Sequence, residues 1–188
     1  MKVFKFGGAS INSAEAIRNV ADILDNEAET NCLVVISAMG KMTNAFEKII
    51  DAYITDNKDD LSKYIHYTTD YHEQIIKNLF SKNHQIHKKV ASLYEKLTLF
   101  LTQNNAYNYD YVYDQIVCFG ELLSSTIVSD FLNQAGITNS WKDARDLIIT
   151  DTTFRDAAVH WKETEKRIKN KIDCSKITLI QGFIASNY

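Results

Sequence analysis

Two stretches of this chain are almost unbroken apolar runs: CLVVISA at 32–38 and ITLIQGFIA at 177–185. A strand with one wet face alternates in polarity, whereas a run this continuous belongs to a strand covered on both faces, as in parallel sheets flanked by helices. A shorter β-rich run, VFKF at 3–6, opens the chain. Between it and the second run lies INSAEAIRNVADILDNEAE, where Ile17, Val20, Ala21 and Leu24 recur at helical spacing. Asn12 is the expected N-cap of that helix and Glu15 its partner three residues on. Strand, turn, helix, strand is a βαβ unit. The expectation is an α/β domain with a mainly parallel sheet between helical layers.

From about Thr43 to Asn105 the period is helical throughout, marked by Phe46, Ile49, Ile50, Tyr53, Val90, Leu93, Leu97 and Leu101. Two or three helices are expected there, as an insertion over about 44–105 after the second strand. A further helix should run from about Asp114 to Ala135 and stop at Gly136, where a left-handed C′ residue belongs. ITNSWKDARDLIITD reads as two short strands around a turn, and AVHWKETEKRIKNKI as an amphipathic helix leading into the last strand. After that strand only SNY follows. An α/β sheet places a covering helix and another strand beyond such a run, so the domain is expected to be incomplete at this end.

Several function classes fall away on charge and patterning. With 21 basic and 24 acidic residues and no basic run longer than HKK at 87–89, nothing points to nucleic acid. Lys2, Lys5 and Gly7 interrupt the opening apolar run, so it is no signal peptide. No stretch reads as the roughly 20 apolar residues of a membrane span. Cys32, Cys118 and Cys174 are odd in number and widely spaced, which fits free thiols in a reducing, cytoplasmic setting. His66, His72, His84, His87 and His160 form no metal-ligand pattern; His84 and His87 share a helix face and lack a third ligand. The alternating tyrosines of YNYDYVYD (107–114) suggest a stacking platform. Without interleaved basic residues, they read as packing against the helical insertion.

Only six glycines occur in the chain, and Gly7, Gly8 and Gly40 follow strands. In open α/β sheets ligands sit at that carboxyl edge. Paired glycines there let backbone amides approach an anion, aided by a following helix N-terminus, and Lys5 adds a full positive charge. The same KFGGAS is also compatible with a plain tight turn beside a solvated lysine. Glu121, after Gly120 and before Ser124 and Ser125, is open to two readings as well: a ligand-binding carboxylate, or an acid near a helix start favoured by the dipole. Cys118 either borders the same cleft or is a small buried apolar side chain.

Taken together, KFGGAS, VVISAMGKMTN, GELLS, DAR and QGFIAS resemble, in order and approximate spacing, the motifs of the aspartokinase branch of the amino-acid kinase family. The resemblance covers essentially the whole chain and implies a three-layer α/β/α amino-acid-kinase-like fold. It implies that Lys5, Gly7, Gly8 and Ser10 hold the phosphate being transferred from ATP with Mg²⁺, Lys5 also serving catalysis by offsetting charge. Thr43 is implied to bind L-aspartate through its hydroxyl and Glu121 to take its α-ammonium. Ser37, Gly40 and Asp143 are implied to line the same cleft. Ala9 departs from the threonine common at its position and loses one hydroxyl near the phosphates.

The implied reaction is phosphorylation of the aspartate β-carboxylate, the first step toward lysine, threonine and methionine, by a homo-oligomeric protein. The chain is expected to supply the amino-acid half of the kinase domain, with the nucleotide half and ACT domains lying outside it. Two alternatives are an aspartate-binding or oligomerisation module without catalysis, and a kinase acting on another acceptor such as glutamate or carbamate.

Overall fold

Four strands form a single sheet in which every pairing is parallel: β1 (Lys2–Phe6), β2 (Cys32–Ile36), β3 (Asn139–Trp141) and β4 (Ile177–Gln181), in the order β1-β2-β4-β3. This arrangement is seen in a computed structural model that describes residues 2–27, 31–173 and 175–187. Cys174 lies outside the described residues, whereas Cys32 and Cys118 are both buried. The helices are α1 (Ala14–Glu27), α2 (Met42–Ile54), α3 (Lys58–Leu79), α4 (Ile86–Gln103), α5 (Tyr109–Gln134) and α6 (Trp161–Lys171).

Connection handedness assigns the layers. The chain moves across the sheet in one direction from β1 through α1 to β2, and again from β2 through α5 to β3. Right-handed crossovers therefore put α1 and α5 on the same face. The return from β3 through α6 to β4 runs the other way, which puts α6 on the opposite face and gives the expected α/β/α arrangement. Along β2, fully buried Cys32, Val34 and Ile36 alternate with half-buried Leu33 and Val35. The second face is thus covered less completely than a continuous apolar run suggests.

The helical segment after β2 resolves into α2, α3 and α4. Phe46, Ile49, Ile50, Val90 and Leu97 are all buried, so the helical period identified the inward stripe correctly. The helix α5 is the centre of the core. Nearly every side chain from Val112 to Leu132 is buried, because α5 packs against β2, β3 and β4 as well as α2 and α4. Among the described residues it is also the one helix long and apolar enough to cross a membrane, but 89% of that stretch is buried inside the fold. Its N-cap is Asn108, whose side chain accepts from the Tyr111 amide. At its far end Gly136 (φ +90°) donates to Asn133 O, and Ile137 N donates to Leu132 O. This is the paired C-terminal closure that a glycine at C′ permits.

Several local expectations are corrected. The cap of α1 is Ser13, not Asn12: Ser13 Oγ accepts from Ala16 N at 3.1 Å, while Asn12 belongs to the preceding short 3₁₀ turn. The helix α5 begins at Tyr109 instead of Asp114, so the alternating tyrosines lie around a helix: the Tyr109 and Tyr113 rings meet at a tilt one turn apart with Arg155 over both. Only one strand forms in 137–151. The second half of that segment makes two isolated bridges, Ile149 with Ser186 and Thr150 with Val159. His84 precedes α4, its ring nitrogen accepting from Ile86 N.

One buried polar network joins three of these elements beneath the site edge. Gln181 on β4 accepts from Ala144 N at 2.7 Å and donates to Ser125 Oγ on α5 at 2.8 Å, and that hydroxyl also accepts from Trp141 Nε1 on β3. Replacing Gln181 with Leu orphans the buried Ala144 amide and removes one of the two donors to Ser125 Oγ, which keeps its bond from Trp141. The expected loss is about 1–3 kcal/mol in urea denaturation, the cost of one unsatisfied buried group.

Candidate active site at the carboxyl edge of the sheet

All four strands point the same way, so the loops at 7–12, 37–41, 142–148 and 182–187 emerge along one edge. The first two are locked together. Gly40 N donates to Gly8 O at 2.9 Å and Ser37 N donates to Phe6 O at 3.2 Å. A Cβ on Gly8 would stand 2.6 Å from Ala38 O and 2.8 Å from Gly40 O, so backbone-to-backbone contact leaves no room for a side chain there. Gly40 has φ +51°, a conformation that glycine adopts at little cost. Gly7 has open space around it, and the short 3₁₀ turn Gly8–Ile11 follows. Ser10 is exposed in that turn, its amide donating to Gly7 O.

Beneath these loops runs the middle of α5. Gly120 allows the close approach: a Cβ at this position would lie 3.1 Å from Ala38 Cβ and 3.4 Å from the Phe46 ring. One residue on, Glu121 is 4% exposed. Its Oε1 accepts from Ala38 N at 3.4 Å, and its Oε2 is buried without a hydrogen-bond partner. Burial pushes its carboxyl up to about 7, against the two backbone bonds that pull it down. Glu121 sits in the middle of a 26-residue helix, so the helix-start reading of this residue is set aside. Ser124, one turn further, donates to Ser37 O at 2.7 Å. Thus Gly8, Ser37, Gly40 and Glu121 form one connected unit. Thr43, half-buried in the first turn of α2, continues from the same loop.

Lys5 and Asp143 flank this unit. Lys5, paired in register with Val35, is exposed and has no hydrogen-bond or ion-pair partner among the described residues. Asp143 lines a cavity of about 710 Å³ together with Cys118, Arg145 and Phe183. That cavity is not lined by Lys5, Gly8, Thr43 or Glu121, so the structure shows two adjoining regions rather than one enclosed pocket. Cys118 links them: one turn before Glu121 on α5, it is in electrostatic range of Arg145, Glu121 and Asp143, and burial pushes its thiol up to about 12. It is a buried neutral side chain at the cavity wall.

Two residues of this cavity were passed over in the sequence. Arg145 forks onto Asp143 through Nε and one terminal nitrogen, at 2.7–3.2 Å, which leaves the other terminal nitrogen outside this pair. The DAR triplet carried that signal. Phe183 is 75% exposed with φ +67°, and no sequence pattern indicates a left-handed phenylalanine.

The family model described as "Amino acid kinase family" matches residues 1–188. Among curated proteins, the chain is 29% identical over an alignment of 195 residues to bifunctional aspartokinase/homoserine dehydrogenase 2, chloroplastic, of Arabidopsis thaliana; this covers 98% of the chain and 21% of the relative. It is 28% identical to the aspartokinase of Chlamydia pneumoniae, covering 98% of the chain and 39% of that protein. Among solved structures, E. coli aspartokinase III in complex with aspartate and ADP (R-state) superimposes with a TM-score of 0.89 at 23% identity, over 100% of this chain and 41% of that one. The chain therefore spans between a fifth and about two fifths of the length of these proteins.

The carboxyl of Glu121 gives a stability signature. Its folded-state value near 7 lies above the ordinary 4.5, so the stability it contributes is fully present below about pH 4.5 and lost as the pH rises toward 7. Denaturation of the wild type and Glu121→Gln across that window is expected to show the wild type falling relative to the variant between pH 4.5 and 7. A constant difference would contradict the assignment.

Proposed function

Since this chain belongs to the amino acid kinase family, we propose that it contributes the acceptor side of an aspartate kinase, in which the γ-phosphoryl group of ATP passes to the β-carboxylate of L-aspartate. The observation that carries this reading is the buried, unpartnered Oε2 of Glu121. A carboxylate oxygen removed from water without a donor is costly, and an incoming ammonium supplies both the donor and the compensating charge. A plain dicarboxylate has no such group, so Glu121 selects an amino acid.

The remaining residues divide between the two substrates. Thr43, half-buried in the first turn of α2, offers a hydroxyl and a helix N-terminus to a substrate carboxylate. Arg145 offers a guanidinium nitrogen not engaged by Asp143, suited to the other carboxylate. Ser37 and Gly40 shape the floor between them. On the phosphate side, the Gly8 cradle has no room for a side chain, and the amides of Gly7 and Gly8 with the exposed hydroxyl of Ser10 and the ammonium of Lys5 fit the charge of a phosphoryl group.

Phosphoryl transfer to a carboxylate requires no general base, because the attacking oxygen is already ionised at neutral pH. Its bond to the γ-phosphorus forms as the bond to the β,γ-bridging oxygen breaks and ADP departs. The protein contributes position and charge neutralisation, Lys5 acting as charge spreads over the phosphoryl oxygens. Magnesium accompanies ATP in such reactions, yet no group of three His, Cys, Asp or Glu suited to a metal exists among the described residues. The relatives named aspartokinase and the fold shared with E. coli aspartokinase III support this reading.

The two substrate sides are separable by mutation. Glu121→Ala is expected to weaken L-aspartate binding in calorimetry by on the order of 100-fold, since a charge-assisted buried contact contributes about 1.5–3 kcal/mol. Lys5→Ala should leave aspartate affinity within about twofold while lowering the transfer rate. Equal losses of aspartate affinity in both variants would overturn the division of roles.

A further inference from the structure

The helix α3 belongs to the segment between β2 and α5, and one of its side chains reaches the glycine loops. Tyr71 Oη donates to Asn12 O at 2.8 Å, in the turn that closes the first loop. The same hydroxyl stands 2.6 Å from where a Cβ on Gly40 would be. Gly40 in turn donates its amide to Gly8 O. One phenol therefore bonds the first loop and abuts the second at the residue whose left-handed backbone makes the turn.

Tyr71 is itself held from behind. The ring of His72 stands edge-on to it, centroids 5.5 Å apart at 86°. His72 is fully buried, with Nδ1 at 2.7 Å from Thr68 O and 3.0 Å from the Tyr94 hydroxyl of α4. Burial pushes its imidazole down to about 4, so it is neutral near pH 7 and brings no competing charge toward the loops. Arg18 of α1 donates to Asn78 O near the end of α3 at 2.6 Å, fixing the same helix against the βαβ unit.

We propose that Tyr71 is a positioning residue: through its hydroxyl it holds the Gly8 and Gly40 loops in the arrangement that presents the Gly7 and Gly8 amides to the transferred phosphoryl group. This rests on reading those loops as the phosphate-holding part of the site. A residue that only filled space there could be phenylalanine without consequence. The hydroxyl is what bonds the Asn12 carbonyl and meets Gly40.

The test is Tyr71→Phe in the 188-residue chain, with two readouts by amide NMR, aspartate affinity by calorimetry and a melting temperature. Hydrogen exchange at the Gly40 amide should accelerate about tenfold, the scale of one lost hydrogen bond. The response of the Gly7 and Gly8 amides to inorganic phosphate should shift to concentrations several-fold higher. Affinity for L-aspartate, which depends on Glu121, should stay within about twofold, and the melting temperature should move by only a few degrees. Unchanged Gly40 exchange together with an unchanged phosphate response would overturn the proposal and leave Tyr71 as packing. If the wild type shows no phosphate response at all, the phosphate reading of the loops fails on its own. Gly40 exchange then decides alone: acceleration keeps Tyr71 as the residue that sets the loops, and no change overturns it.

Discussion

The fold turns on a carboxylate carried in the middle of its most buried helix. A glutamate at the centre of α5 forfeits the solvation that an acid near a helix end retains, and with Oε2 unpartnered it recovers little of it from the protein. Such a group persists when something outside the folded chain rewards it. Its backbone partner Ala38 N lies in the loop that closes β2, so the same residue both waits for a ligand and ties the core helix to the edge of the sheet.

From that tie the rest of the site follows by short contacts. Gly120 brings α5 against Ala38 and Phe46, Ser124 reaches the Ser37 carbonyl, and the 37–41 loop lies against Gly8 with no space for side chains between them. The glycines are placed by close approach of backbones, which is why they are spent here in a chain that has so few. Lys5 stands on the strand just before, exposed and free of partners among the described residues. The helices α2 to α4 belong to the same device: α2 starts from the second loop with Thr43, and α3 returns with Tyr71 to abut Gly40.

Much of this was legible in the sequence because it depends on periodicity. Continuous apolar runs gave the parallel strands, the helical stripe of Phe46, Ile49 and Ile50 gave the core face of α2, and Gly136 marked the end of α5. What stayed hidden depends on three-dimensional proximity. Asn12 and Ser13 are equally good caps by composition, and only the local turn decides between them. A strand-like pattern in 146–151 lost to the short turn at Asp143 and to pairing with distant 159 and 186. The depth of Glu121 in its helix could not be read while the start of α5 was set five residues too late. Tyr71 and Phe183 carry no local signature, since one matters for a contact 59 residues away and the other for a left-handed backbone.

The central claim is that an ammonium completes the Glu121 carboxylate. A carboxyl held near 7 by burial must surrender its proton when a cation arrives. Calorimetry of L-aspartate binding in buffers of different ionisation enthalpy, from pH 6 to 8, measures that proton directly. Proton release that grows as the pH falls below 7, and that vanishes in Glu121→Gln, is the predicted result. Aspartate binding that releases no proton anywhere in this range would contradict it.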